Sequence, residues 1–108
     1  MENSNIVSSF EGKEIRKVWH EEQWYFSVID VIEILTHTNH PAVYWSILKK
    51  KEKESFTFCK RFDLDRVDGK TYTTDCANFE GVIRILMEIP SPKAEQFMKW
   101  WVEVNGRN

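Results

Sequence analysis

Cysteine is scarce in this chain. Cys59 and Cys76 are too few to knit a disulfide framework across 108 residues, and both are expected to be thiols with structural roles. Glycine is scarce too: none of the four lies in a phosphate-cradling Gly-rich loop or a Gly-x-Ser-x-Gly turn. With no nucleophile placed beside an orienting base, no catalysis, cofactor or small-molecule substrate is expected. Long apolar runs are missing, which excludes a membrane-spanning helix. The start, Met1-Glu2-Asn3-Ser4-Asn5, has no basic segment leading into an apolar one, so no signal peptide is expected and the cytoplasm is the default compartment. Metal ligands are poorly grouped. His37-x-x-His40, even with His20, Cys59 and Cys76, lacks the close pairs of a structural zinc site. Asp63, Asp65 and Asp68 lack the Gly and Glu that a calcium loop needs. Net positive charge is absent as well: the formal charge of -2 argues against a protein that binds polyanions through its overall charge.

What the chain does have is apolar and aromatic material, 42% and 14% of its residues, with five Trp and seven Phe. That composition is too apolar for disorder. The length suits one domain, residues 1–108, able to bury about two-thirds of the surface its unfolded chain exposes. No repeat or linker divides it. Because the chain stops soon after an expected helix, it is expected to be part of, or related to, a longer protein. Charge is distributed unevenly. Residues 1–48 hold three Lys/Arg against seven Asp/Glu, whereas Tyr44 to Arg61 hold six Lys/Arg against two Glu.

Residues 6–10, 14–19 and 23–27 are β-branched or aromatic and are separated by Glu11-Gly12-Lys13 and His20-Glu21-Glu22, which predicts a three-stranded antiparallel meander. At Ser27 the period changes. Ser27-x-x-Asp30 approximates a capping box, and Val28, Val31, Ile32 and Leu35 recur at helical spacing over residues 28–35. After the polar turn Thr36 to His40, Pro41 suits the first position of a second helix, over residues 41–53, with Tyr44, Ile47, Leu48 and Lys51 as its packing stripe. Alternation over residues 56–62 and 70–74 flanks the turn dipeptide Asp68-Gly69 and predicts a β-hairpin. Asp75 is expected to cap a third helix lined by Phe79, Val82, Ile83, Leu86 and Met87. Ser91 and Pro92 are expected to start a fourth, striped by Ala94, Phe97, Trp101 and Val104 and ending near Asn105-Gly106. The expected class is α+β, in the order βββααββαα.

The run Lys49-Lys50-Lys51-x-Lys53 reads, taken alone, as a solvated helix end stabilised by the helix dipole. Its setting adds a second reading. A short helix, a polar turn and a second helix resemble a helix-turn-helix, with Lys60 and Arg61 on a nearby strand, where cationic groups can neutralise phosphates. Trp100 and Trp101 are adjacent and point about 100° apart on a helix, so one of them is expected outside the core groove, at a second interface.

Two stretches carry a resemblance. Trp24-Tyr25-Phe26-Ser27-Val28-Ile29-Asp30-Val31-Ile32-Glu33-Ile34-Leu35, followed by Pro41 through Lys51, resembles the opening of the BRO family N-terminal domain, found in prophage antirepressors, DNA-damage-inducible-type proteins and large DNA viruses. Glu80-Gly81-Val82-Ile83-Arg84-Ile85-Leu86, with Pro92-Lys93-Ala94-Glu95-x-Phe97-x-x-Trp100, resembles its ending. The chain departs from that pattern at Leu35-Thr36-His37, where relatives often carry Leu-Gly-Tyr. The resemblance implies a DNA-binding module, usually followed by a variable C-terminal part.

The expected function is therefore DNA binding, with duplex as the expected form, in a prophage-type antirepressor or transcriptional regulator. Ser46 and Lys49 are expected nearest the groove, and Lys50, Lys53, Lys60 and Arg61 on phosphates. The alternative is a protein-interaction module that binds a repressor or self-associates as a homodimer, through Tyr44, Trp45, Trp100 and Trp101.

Overall fold

The computed structural model describes residues 6–51, 56–65 and 68–106. Strands β1 (Ile6–Phe10), β2 (Lys13–His20) and β3 (Gln23–Ser27) lead into helices α1 (Val28–Thr36) and α2 (Pro41–Lys51). A hairpin of β4 (Lys60–Asp65) and β5 (Thr71–Ala77) precedes α3 (Phe79–Leu86) and α4 (Ala94–Asn105). The class is α+β. The meander is not a separate unit: β5 pairs with β3, and the five strands form one antiparallel sheet in the order β1-β2-β3-β5-β4.

Two-residue turns close the first two strand pairs. Their central residues all have positive φ, at Glu11 (52°), Gly12 (80°), Glu21 (51°) and Glu22 (68°). This is the backbone twist that tight hairpins require, and only one of the four positions carries the glycine that adopts it without steric cost.

The end of β3 passes directly into α1 because Ser27 changes roles. Its hydroxyl accepts the Asp30 N–H and caps the helix. The Asp30 carboxylate turns to β2, where Oδ2 accepts the Arg16 backbone N–H at 2.9 Å and Nε at 2.8 Å, while Oδ1 takes Nη2 at 2.8 Å. That fork pins α1 to the sheet. His37 ends α1 in the left-handed conformation and donates its N–H to Glu33 O, and the His40 carbonyl accepts the Val43 and Tyr44 N–H groups in the first turn of α2.

The sheet has apolar residues on both faces. Successive strand residues point to opposite sides. Phe26 and Ala77 thus enter the larger core with Val82, Ile85, Phe97 and Trp101, whereas their neighbours Tyr25 and Cys76 join Leu64 in a smaller cluster.

Four expectations are corrected. β4 starts at Lys60 rather than at residue 56, because Phe56 leaves the strand alternation to pack on Trp45, ring centroids 5.1 Å apart. Asp75 lies within β5 and does not cap α3; Asn78 does, through its side-chain oxygen and the Gly81 N–H. Ser91 is not the N-cap of α4, because the helix starts only at Ala94, after Lys93; its hydroxyl accepts the Lys93 N–H at 3.1 Å in the turn before the helix and donates to the Leu35 carbonyl at 2.7 Å, tying that turn to the end of α1. Val104 leaves the α4 stripe and is exposed.

Candidate nucleic-acid interface

Helix α2 is seated by Trp45 and Leu48, both buried. They lie on the stripe Pro41, Tyr44, Trp45 and Leu48, one step removed from the expected stripe, which leaves Ile47 and Lys51 outward. The size of Trp45 decides between the two registers: an indole buries more apolar area than any other side chain and offers one N–H that must find an acceptor. Here the acceptor is Asp75 of β5. Trp45 Nε1 donates to Asp75 Oδ2 at 2.7 Å.

Two cations reach the same carboxylate. Lys49 Nζ lies 2.7 Å from Asp75 Oδ2, and Arg61 Nε of β4 lies 3.4 Å from Oδ1. Arg61 can do so because it stands opposite Asp75 in the β4–β5 register. Burial by itself pushes the Asp75 carboxyl up, but hydrogen bonds from Lys49 and Trp45 and the charges of Lys49 and Arg61 outweigh burial and hold it below the usual carboxylate range. The Asp75 side chain is only 13% exposed, against 45% for Lys49 and 71% for Arg61. The cations thus keep their outer sides open. Ser46, Lys49 and Arg61 share one groove of about 320 Å³, floored by Trp45 and Asp75.

The helix supplies polarity along its length. Its first turn has no acidic residue and its last holds Lys49, Lys50 and Lys51, all exposed. Lys50 faces away from the buried stripe.

The model of the BRO family, N-terminal domain, matches residues 14–105. The chain belongs to the BRO family. No curated protein and no solved structure matches it. The match runs from β2 to the end of α4, so the α1–α2 pair, the β4–β5 hairpin and the groove between them all lie inside the BRO domain.

Of the residues expected to meet DNA, the structure joins Ser46, Lys49 and Arg61 and leaves Lys50 beside them on the free face of α2. It separates Lys60, which stands opposite Cys76 and therefore points to the other face of the sheet from Arg61. Lys53 lies outside the described residues. The aromatic partner patch is also corrected: Trp45 is 4% and Trp101 0% exposed, Trp101 because its ring packs between Phe26, Phe79 and Phe97 while its N–H donates to Phe79 O. Trp100 is half-buried against Phe10 and Phe97.

Sequence reasoning missed Asp75, whose signal was its place in the outward alternation Thr71, Thr73, Asp75 rather than at a helix start. It also missed that Val43 and Ile47 are exposed on α2. The two cysteines stay structural in geometry: burial pushes both thiols up to about 12, far from a reactive thiolate. Among the described residues no helix is long and apolar enough to cross a membrane.

Proposed function

We propose that this BRO domain binds duplex DNA as the DNA-contacting part of a phage-type antirepressor or transcriptional regulator. The observation that carries the reading is the meeting of Lys49 from α2 and Arg61 from β4 on one carboxylate. A helix and the strand that follows it place positive donors around a seat already shaped to hold anionic oxygens. Arg and Lys so placed suit phosphate, and the exposed Lys50 extends the positive surface along α2. The overall charge of -2 does not oppose this, because steering and phosphate contact depend on the local field, and Lys49, Lys50 and Lys51 close α2 beside Arg61 of β4.

The alternative of a protein-binding aromatic patch loses its support with the burial of Trp45 and Trp101. The reading involves binding alone, and none of its residues needs to perform chemistry.

Charge reversal tests it. The double variant Lys49→Glu, Lys50→Glu, in which Glu at 49 stands beside Asp75 and whose folding is therefore checked by its thermal melt, should lose binding to random-sequence duplex DNA in fluorescence anisotropy. Undiminished binding by a folded double variant would refute the assignment of α2 to DNA.

A further inference from the structure

The outward face of α2 is not uniformly polar. Val43, Ser46 and Lys50 fall at helical spacing opposite Trp45 and Leu48, Ile47 stands at the edge of that face beside Tyr44 and Leu48, and Val43 and Ile47 are 57% and 61% exposed. A single exposed aliphatic residue is ordinary. Two on one face of an 11-residue helix form an apolar strip that runs from the groove of Glu14, Glu33 and Asp65 beside Val43 to the lysines that close the last turn.

A partner for that strip must combine two properties. It must be anionic, to match Lys49, Lys50 and Arg61, and it must present small apolar groups between its charges. The major groove of B-DNA does both: it is wide enough to admit an α-helix, phosphates line its edges, and each thymine projects a C5-methyl into it. Resting on the DNA-binding reading above, we infer that Val43 and Ile47 read thymine methyl groups in the major groove, with Ser46 between them in reach of a base edge. The four-residue step from Val43 to Ile47 advances about 6 Å along the helix, near two base steps of about 3.4 Å. The preferred site therefore carries thymines about two steps apart.

The methyl group can be removed without touching a phosphate. Wild-type protein is titrated with an alternating adenine–thymine duplex and with the same duplex carrying deoxyuridine for thymidine, each across a salt series. Covering one methyl-sized group is worth about fourfold in affinity, so the thymine duplex should bind about fourfold to fifteenfold more tightly, with the same salt slope for both. Ile47→Ala and Val43→Ala should each remove part of that preference and leave the slope unchanged. Both positions are exposed, so the variants should fold; Ile47→Gln, which keeps the length and loses the apolar contact, should behave like Ile47→Ala. Equal affinity for the two duplexes, with steep salt dependence retained, would overturn the thymine reading and leave DNA binding standing. Absence of salt-sensitive binding to either duplex would overturn both. Concentration-dependent dimerisation in sedimentation that Ile47→Ala abolishes would assign the strip to a second copy of the chain and overturn the inference.

Discussion

Replacing Asp75 by Asn should strengthen DNA binding. The wild-type carboxylate holds Lys49 at 2.7 Å and Arg61 at 3.4 Å, so one negative charge offsets one of the two positive charges at the groove. Asn is close to Asp in shape and keeps an oxygen for the Trp45 N–H, which otherwise loses its acceptor. The net charge of the group rises from one positive to two. One further phosphate neutralised steepens the dependence of log K on log salt by about 0.9. Extrapolated from molar salt, that is a gain of about fifteenfold at ~50 mM salt and about fourfold at ~200 mM. The stability cost is small, because Lys49 and Arg61 are substantially exposed: on the order of 0.5–1 kcal/mol for the ion pairs lost. Asp75→Ala would be worse by about 1–3 kcal/mol, since it leaves the buried indole N–H without a partner. Anisotropy titrations at several salt concentrations, beside thermal melts, read both quantities. Unchanged slope or weakened binding in a fully folded Asp75→Asn protein would refute the idea that Asp75 competes with phosphate, and would make its carboxylate purely a structural tie between α2 and β5.

Other outcomes follow from the same geometry. Lys50→Ala should shallow the salt slope by about one unit, whereas Lys60→Ala, on the opposite sheet face, should leave it unchanged; equal effects of the two would contradict the facing assigned to them. The Asp75 carboxyl, held low in the folded state, stabilises the protein above the ordinary carboxylate range, and that contribution is lost as pH falls through the lower folded value. Acid titration of Asp75→Asn should therefore show a weaker loss of stability below about pH 4 than wild type. Glu22→Gly should raise stability by about 0.5–1 kcal/mol, as relief of the left-handed strain exceeds the entropy cost of glycine; a lowered melting temperature would refute it. Gly81→Ala should lower the melting temperature, because an added Cβ would meet the Phe58 ring at 2.7 Å and Ala77 Cβ at 2.9 Å, and an unchanged melt would show that the ring swings aside freely.

Local signals in the sequence carried most of the fold. Strand alternation around the two turns located β1 to β3, and the switch of period at Ser27 located α1, because capping and facing are decided within a few residues. Errors arose where a distant partner decided the outcome. Asp75 has the chemistry of a helix cap, but the β4–β5 register sets it opposite Arg61 and beneath Trp45. The alternation from Phe56 onward looked like a strand until Trp45, on another element, took Phe56 into the core. On α2 two stripes one residue apart were equally regular, and the burial of an indole chose between them. The candidate site was legible only as a basic helix. Its partners across the groove come from a strand pairing between β3 and β5 that no local pattern specifies.

The proposed function rests on Lys49, Lys50 and Arg61 as a phosphate-contacting surface. Its most direct test is the affinity of the unaltered protein for random-sequence duplex DNA measured from ~50 to ~200 mM salt. With Lys50 and the single net positive charge of the Lys49–Arg61–Asp75 group neutralising about two phosphates, log K should fall against log salt with a slope of about -2. A slope near zero, or no binding at the lowest salt, would contradict the account.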